Sequence, residues 1–307
     1  MSNQPMPDAD AFTTEVCWHY YINEMTQAEI AKLMGVTRLR VNQSIQRARA
    51  LGMVRIEIDS PFVPRLDLQS QLQDRFGLNL ALVAPAHPEH YDYHSAVGAA
   101  LASYLSDRLR AGEWERVGVS WGMTLQCAIE RMMPQSMPDL EVISMLGGTS
   151  HGESFNTFGI ASGLAERLSA RYSLLAAPIF LSPQVDKDAF LSQQIFAEHF
   201  DKLRRLDAAI MTASNISEHS YLIRTGLPAN IDPATLIRDG AIGDTVGRFL
   251  DADGNVIQTA LAACTVGIDL EDLRRVPERI LAAAGHHKVQ VIRAILMAKL
   301  ANVLVTD

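Results

Sequence analysis

Residues 26–38 read TQAEIAKLMGVTR. Thr26 and a glutamate three residues later form the sequence pattern of a capping box, which predicts a helix over 27–34. A glycine ends this helix, because the positive φ of a tight turn is easiest for glycine. Thr37 then caps a second predicted helix over 38–51. The stretch therefore predicts two helices joined by a short turn.

The elements on either side extend this pattern. Upstream, residues 12–23 carry apolar positions at helical spacing, and downstream residues 54–58 alternate as a short strand. Helix, turn, helix and strand in this order are typical of a winged helix-turn-helix, whose second helix enters the DNA major groove. The sequence predicts such a domain over residues 1–58.

The second helix of the pair is strongly basic. Residues 37–55 contain five arginines and no acidic residue. The side chains present there hydrogen-bond phosphates and base edges, and the predicted DNA-binding residues are Gln27, Thr37, Arg38, Arg40, Asn42, Gln43 and Arg47. Arg47 and Arg49, late in the helix, are expected to touch phosphate, to pack, or to face acidic residues of the other domain. A solvated cationic helix is the alternative interpretation, but the turn chemistry favours DNA binding.

The protein as a whole is acidic. Its 307 residues carry a formal net charge of −8, with 48% hydrophobic and 20% charged residues, as is usual for a globular protein. Residues 1–56 hold six basic and five acidic residues, so the negative charge lies in the remainder. We expect this acidic remainder to repel DNA except where the basic helix is presented.

The three cysteines are far apart and show neither CxxC nor metal-binding spacing, which indicates a reducing compartment. No signal peptide and no apolar stretch long enough to span a bilayer are visible. We therefore expect a cytoplasmic protein with no membrane partner, no metal and no cofactor.

A proline-containing linker at 59–64 precedes the second predicted domain, 65–307. Strand-like and helix-like segments alternate in it, which predicts an α/β fold with a mostly parallel sheet and helices on both faces. The predicted strands are 80–83, 117–120, 140–145, 174–179, 208–211, 279–283 and 302–305. The predicted helices are 66–76, 94–110, 124–133, 159–170, 188–204 and 289–298.

Three glycine-containing loops follow predicted strands, where ligands bind in this fold class. Glycines allow close backbone approach, while hydroxyl groups and a lysine suit a polyhydroxyl or phosphate ligand. The candidate residues are Ser120, Gly122 and Thr124 in the first loop, Gly147 and Gly148 in the second, and His286 and Lys288 in the third. The alternative is that these loops are ordinary strand-to-helix turns.

Two catalytic patterns compete with this interpretation. Residues 118–122, GVSWG, match a nucleophile elbow, and Asp244 followed by the histidine pair 286–287 gives the chain order of a hydrolase. No HGGG-type oxyanion loop precedes them and Trp121 would crowd the elbow, so acyl transfer is disfavoured. Lys288 as a Schiff-base nucleophile is also less favoured than a phosphate or carbohydrate contact.

The chain resembles the SorC-type sugar-responsive transcriptional regulators over nearly its whole length. The N-terminal resemblance lies in residues 20–21, 26–31, 35–38 and 48–54, and the C-terminal one in 119–124, 146–148, 243–244, 249–251, Gly254, Lys288 and 302–307. It implies an effector domain with the fold of sugar-phosphate isomerases and glucosamine-phosphate deaminases, a tetrameric assembly, and a pocket lined by Ser120, Gly122, Thr124, Gly147, Gly148, Asp244 and Lys288.

The chain departs from this family at two strand ends. After 208–211 the family usually has a Gly-Ile-Gly-like turn, where this chain reads MTASN at 211–215. The lysine loop commonly carries two glycines, where this chain has Gly285 and His286. Bulkier side chains predict a smaller pocket, and hence a short or unphosphorylated polyol, such as erythritol, as the effector.

The sequence thus predicts a DNA-binding transcriptional regulator of carbohydrate or polyol catabolism. Its affinity for double-stranded operator DNA would be controlled by a small sugar, polyol or sugar-phosphate effector. A homo-oligomer, dimer or tetramer, is expected because one such DNA-binding domain buries little surface. The main alternative is an isomerase or deaminase fused to a helix-turn-helix, with Asp244 and His286 as acid and base. An adaptor that only dimerises is the third possibility.

Overall fold

A computed structural model describes residues 7–54, 63–85, 92–149, 154–218, 220–228 and 230–307, without side-chain detail for 7–9 and 63–64. The chain divides into two compact units, Met1–Pro61 and Phe62–Asp307. In the described parts of both units, no helix is long and apolar enough to cross a membrane.

The N-terminal unit contains three helices, α1 (Pro7–Tyr21), α2 (Gln27–Leu33) and α3 (Arg38–Ala50). Thr26 and Glu29 form the predicted capping box, and the Thr37 hydroxyl accepts a hydrogen bond from the Arg40 backbone N–H at 3.3 Å. The turn between α2 and α3 contains Gly35 with a φ of +64°. The predicted wing, 54–58, falls almost entirely on 55–62, outside the described residues.

The three helices enclose a small apolar core formed by Val16, Ile30, Ala31, Val41 and Ile45. The α3 members of this core lie at a spacing of four residues, so one face of the helix is buried and the other remains at the surface. The predicted helix-turn-helix is therefore present, with a basic second helix that packs through a narrow apolar stripe.

The C-terminal unit is built on a seven-stranded parallel sheet. Its strands are β1 (Leu80–Val83), β2 (Arg116–Val119), β3 (Glu141–Ser144), β4 (Arg171–Ser173), β5 (Ala208–Met211), β9 (Glu278–Ala282) and β10 (Val303–Thr306), in the spatial order β1-β10-β9-β5-β2-β3-β4. A second, antiparallel sheet consists of β6 (Ser214–Asn215), β7 (Gly243–Thr245) and β8 (Arg248–Leu250). The predicted α/β class with a parallel sheet is confirmed.

Helices cover both faces of the parallel sheet. They are α4 (Val63–Phe76), α5 (Tyr93–Ala111), α6 (Met123–Arg131), α7 (Thr157–Leu168), α8 (Lys187–Leu191), α9 (Gln194–Leu203), α10 (Pro233–Arg238), α11 (Ala260–Cys264), α12 (Leu270–Arg275) and α13 (Val289–Met297). Leu101 of α5 and Val119 of β2 belong to one buried cluster, whereas Leu203 of α9 and Ile295 of α13 belong to the other. The alternation of strand side chains between these clusters produces the two-sided layer.

Two predicted elements are wrong. The strand predicted at 174–179 is not formed: β4, Arg171–Ser173, ends before this range, and within the range Pro178 makes an isolated bridge with Gly148. Pro178 has no backbone N–H to donate to a sheet ladder, which disfavours a regular strand across this range. The helix predicted at 188–204 is the two helices α8 and α9, because Gln193 adopts an extended backbone between them.

Candidate functional site

A cavity of about 170 Å³ opens at the carboxyl ends of β2, β5 and β9. The chain passes from β2 to β3 and β4 at one edge of the sheet, then returns to place β5 on the other side of β2. Ligands of open parallel sheets bind at such a reversal of strand order. The cavity is lined by Tyr93, His94, Trp121, Gly122, Met123, Thr124, Phe155, residues 212–215, 220–222, Arg224, Asp244, His287 and Lys288.

Asp244 of β7 is a buried carboxylate in the wall of this cavity. The Ser214 hydroxyl donates a hydrogen bond to its Oδ1 atom, and Ser214 and Ser220 share a further hydrogen bond at 3.1 Å. Burial raises the pKa of Asp244 to about 6, against the opposing effects of the Ser214 and Gly247 hydrogen bonds and the Lys288 charge. A carboxylate of this kind accepts hydrogen bonds from the hydroxyl groups of a ligand.

Lys288 supplies a buried cation to the same cavity. It ends the short 3₁₀ turn His286–Lys288 and is the N-cap residue of α13. Its Nζ atom lies 5.6 Å from the centroid of the Tyr93 ring. Burial lowers the pKa of Lys288 to about 8, although the charges of Asp244 and Asp307 act in the opposite direction. The cavity thus contains one positive and one negative group, both withdrawn from water.

The loop after β2 brings backbone and hydroxyl groups to the cavity. Gly122 is the N-cap residue of α6 and has a φ of +124°. A Cβ atom at this position would lie 3.0 Å from Thr212 Oγ1, so a side chain there would enter the space beside Thr212. The Thr124 hydroxyl forms a hydrogen bond with His94 Nδ1 at 2.9 Å. Burial and the Lys288 charge lower the pKa of His94 to about 4, so this imidazole is neutral at pH 7.

Three aromatic side chains form one wall of this cavity: Trp121, Phe155 and Tyr221. The Tyr221 ring packs edge-on against Trp121, with centroids 5.5 Å apart, and against Phe155, at 5.0 Å. Its hydroxyl group forms a hydrogen bond with Thr149 Oγ1 at 2.7 Å. The adjacent π-helical turn, Leu222–Gly226, contributes the exposed Arg224 to the cavity rim. Single π-turns are rare and are frequently found at functional sites.

The structure brings four of the predicted effector residues together: Gly122, Thr124, Asp244 and Lys288 all line the cavity. Ser120 lies behind it, where its buried Oγ accepts a hydrogen bond from the Thr212 backbone N–H at 3.2 Å. Ser120 therefore supports the loop and does not face the cavity.

The other three predicted residues lie elsewhere. Gly147 packs against the carbonyl groups of Ala177 and Pro178, which a Cβ atom would approach to 2.6 Å, and Gly148 lines the neighbouring cavity of about 340 Å³. His286 lines an apolar groove beside α4 and α13, whereas His287 lines the cavity of about 170 Å³ that contains Asp244 and Lys288. The prediction took the first histidine of the pair, but side chains of consecutive residues in a 3₁₀ turn point about 120° apart.

Sequence reasoning missed most of the other cavity residues. Tyr93 and His94 begin a helix whose preceding loop carries no motif, and Tyr221 and Arg224 belong to a turn with no recognisable pattern. The segment 212–215 did carry a signal, because it follows the strand end at β5. The expectation that bulkier residues in this segment shrink or reshape the pocket fits their place in the cavity lining.

The predicted DNA-binding residues lie on or beside α3. Thr37, Arg38, Arg40, Gln43 and Arg47 are exposed, whereas Gln27 and Asn42 are half-buried. Arg47 also forms a salt bridge of 3.4 Å with Asp10, and Arg49 donates a hydrogen bond to the Tyr21 hydroxyl at 2.9 Å. Both partners belong to the N-terminal unit itself, so the expectation that these arginines pack is met, whereas contacts with phosphate, with acidic residues of the other domain and with DNA bases stay predictions.

A helix-turn-helix unit followed by an α/β unit with a small polar cavity is the combination expected of a ligand-responsive transcriptional regulator. The family model described as "Putative sugar-binding domain" matches residues 60–307, and the chain belongs to this family.

Relatives match this chain over nearly its full length. It is 28% identical over 305 residues to the erythritol catabolism regulatory protein EryD of Brucella abortus, covering 98% of this chain and 96% of that protein. It is 29% identical over 296 residues to the deoxyribonucleoside regulator of Bacillus subtilis, covering 94% and 92%. The full-length sorbitol operon regulator SorC of Klebsiella pneumoniae has a TM-score of 0.76 at 26% identity, covering 96% of this chain and 95% of that chain.

These comparisons confirm the resemblance to SorC-type regulators and the predicted fold class. The relatives are named as transcriptional regulators, so they also support a regulator and not the isomerase or deaminase considered as the alternative. The protein is accordingly a transcriptional regulator with a sugar-binding domain.

Proposed function

We propose that the protein binds operator DNA through its helix-turn-helix and that a small sugar, polyol or sugar phosphate in the 170 Å³ cavity controls this binding. The observation that carries the proposal is the burial of Asp244 and Lys288 in one cavity among hydroxyl-bearing side chains. Buried charges are costly to a fold, and the cost is understandable where a ligand completes their hydrogen bonding.

Each part of the cavity suits a different part of such an effector. The Asp244 carboxylate accepts hydrogen bonds from hydroxyl groups, and Ser214 beside it holds the carboxylate in place. Lys288 donates hydrogen bonds to hydroxyl or phosphate oxygens, and the N-terminus of α6 at Gly122 favours a negative or oxygen-rich group. Arg224 at the rim adds a second cation.

The size of the cavity supports a small effector. Pockets for drug-sized ligands are about 300–1,000 Å³, so a cavity of about 170 Å³ suits a molecule of a few carbon atoms. Thr212 contributes to this restriction, because its Oγ1 atom donates a hydrogen bond to the Trp121 carbonyl at 2.7 Å and its side chain stays beside Gly122. A short polyol is therefore the first candidate.

The protein would bind a symmetric operator as an oligomer, with one helix-turn-helix contributed by each subunit. One helix-turn-helix contacts one half-site, and two copies related by two-fold symmetry contact two half-sites about one helical turn apart. A dimer or tetramer is thus part of the proposal. Effector binding would favour one arrangement of the subunits, and the operator affinity would change by the difference in effector affinity between the arrangements.

The proposal is tested with the full-length protein in two linked measurements. Calorimetry with a panel of polyols and sugar phosphates should find an effector that binds stoichiometrically. Fluorescence anisotropy with the DNA upstream of the protein's own gene should find specific binding that this effector changes. Effector binding with no change in DNA affinity would contradict the linkage. Turnover of a sugar phosphate would instead favour an enzyme, and tight binding of a hexose bisphosphate would contradict the short polyol.

A further inference from the structure

Leu39 lies at the centre of the outward face of helix α3, and neither the sequence patterns nor the family resemblance assigned it a role. Successive helical residues are about 100° apart, so Leu39, Gln43 and Gln46 share the side of the helix opposite the core. The buried side chains on the other side are Val41, Ser44, Ile45 and Ala48. Leu39 is 65% exposed.

Arginines flank this outward face on both sides. By the same helical spacing, Arg38 and Arg49 lie along one edge of it, and Arg40 and Arg47 lie along the other. This arrangement is complementary to the major groove. The groove has uncharged base edges at its floor, opposite the central row, and an anionic phosphate backbone along each wall, opposite the arginines.

Helix α1 holds three of these arginines in place. The contacts are Arg40 over the Phe12 ring at 4.6 Å, Arg47 Nη2 with Asp10 Oδ1 at 3.4 Å, and Arg49 Nε with the Tyr21 hydroxyl at 2.9 Å. Side chains held along the edges of the helix are positioned for the groove walls, and the central row is left to meet the bases.

The chemical groups on the floor of the major groove determine what Leu39 can recognise. Glutamine reads hydrogen-bonding base edges, but a leucine side chain has no donor or acceptor. The apolar feature that the major groove presents is the C5-methyl group of thymine. A single exposed leucine is ordinary on a protein surface. Leu39, however, lies in the middle of a row of side chains suited to reading bases, with arginines on both sides. The partner that covers it would therefore be DNA.

We propose that Leu39 is a specificity-determining residue that contacts a thymine methyl group in the major groove of the operator. This inference rests on the DNA binding proposed above. It adds that one position in each operator half-site is read as thymine through its methyl group, beside contacts that the arginines make with the backbone.

Deoxyuridine provides a direct test, because it differs from thymidine only by the missing methyl group. The operator is first located by footprinting the full-length protein on its own upstream DNA, and each thymine is then replaced singly by deoxyuridine. We expect one position per half-site at which the replacement weakens binding about four-fold. This is the change in affinity that corresponds to the burial of one methyl or methylene group. Leu39→Ala should bind the parent operator more weakly and should be insensitive to that replacement.

Leu33→Ala is the matched control, since Leu33 is a leucine of similar exposure, 59%, on α2. It should keep the deoxyuridine sensitivity of the natural protein. If no replacement weakens the natural protein, or if Leu39→Ala responds to each replacement as the natural protein does, the assignment of Leu39 is overturned while the proposed function stands. If the natural protein binds its upstream DNA no better than random duplex, the proposed function fails first. A circular dichroism melt of Leu39→Ala confirms that the variant is folded.

Discussion

The Ser214 hydroxyl donates a hydrogen bond to Asp244 Oδ1 inside a cavity that also buries Lys288. This pairing joins two separate parts of the chain, since Ser214 lies in β6 and Asp244 in the adjacent strand β7. The hydrogen bond favours the ionised carboxylate, but burial outweighs it and raises the pKa of Asp244 to about 6. The protonation state of the cavity therefore changes within a range that binding experiments can reach.

Effector affinity should fall as the pH decreases from above 7 to about 5. In that interval Asp244 becomes protonated and loses part of its capacity to accept hydrogen bonds from effector hydroxyl groups. His94, with a pKa of about 4, and Lys288, with a pKa of about 8, titrate mainly outside this interval. Calorimetry across this pH interval measures the effector affinity. The Asp244→Asn variant should bind the effector weakly at every pH, and its affinity should not fall between pH 7 and pH 5. An unchanged pH profile in this variant would contradict the assignment.

Lys288→Met should weaken binding of effectors with an anionic group by one to two orders of magnitude, since a charged hydrogen bond contributes about 1.5–3 kcal/mol. The variant should also be more stable without effector at neutral pH. Because the folded-state pKa of about 8 lies below the unfolded value, the natural protein gains stability as pH rises from about 8 to above 10. Thermal melts of the effector-free proteins at pH 7 and above pH 10 test this prediction, and Lys32→Met, at an exposed lysine, is the control. A variant that is destabilised equally at both values would contradict the prediction.

Gly122→Ala should reduce effector binding and destabilise the fold. Alanine is strained at a φ of +124°, and its Cβ atom would lie 3.0 Å from Thr212 Oγ1 at the cavity wall. The matched control is Gly163→Ala in α7, where a Cβ atom meets nothing within 4 Å. That change should stabilise the helix by about 0.5–1 kcal/mol. Denaturant unfolding and calorimetry compare the two variants, and equal effects would exclude a special role for Gly122.

Thr212→Ala should shift effector preference toward larger molecules. The substitution removes the side chain that restricts the space beside Gly122, together with the hydrogen bond to the Trp121 carbonyl. We expect weaker binding of a short polyol and stronger binding of a hexose phosphate relative to the natural protein, measured by competition calorimetry. A uniform loss of affinity for both ligands would show that Thr212 supports the loop without setting the size of the cavity.

Arg38→Ala should weaken DNA binding and leave effector binding unchanged. Arg38 is exposed at the first turn of α3, so its removal should cost about 1–3 kcal/mol if it contacts a base, or reduce the salt dependence by about one charge if it contacts a phosphate. Anisotropy at several salt concentrations separates these cases, and Lys32→Ala on α2 is the control. Loss of effector binding in Arg38→Ala would contradict the separation of the two activities.

The sequence predicted most of the fold correctly where a strong local signal existed. The capping box at Thr26 set the start of α2, and the predicted strands 80–83 and 208–211 agree with β1 and β5. It failed where packing overrides pattern. The segment 174–179 is rich in apolar residues, and Leu175, Ala177 and Ile179 are buried, yet it forms isolated bridges and no continuous ladder. Strands β6, β7 and β8 are too short for periodicity to reveal.

The cavity illustrates the same division. Gly122 and Lys288 could be predicted because each stands in a loop after a strand, at a position that every parallel sheet brings to one edge. Tyr221, Arg224 and His94 come from segments without such a rule, and they enter the cavity only through the folding of a π-turn and the start of α5. The choice between His286 and His287 depends on the rotation of a single 3₁₀ turn.

The sequence by itself determined the two-part organisation, the basic second helix and the alternating α/β class, because capping, glycine turns and hydrophobic periodicity are local properties of the chain. Only the tertiary structure decided which side chains share the cavity and which arginines are held by α1. Those relationships join residues that are far apart in sequence, as Ser214 and Asp244 are. Their distances and the pKa values that follow depend on burial, which the folded chain alone defines.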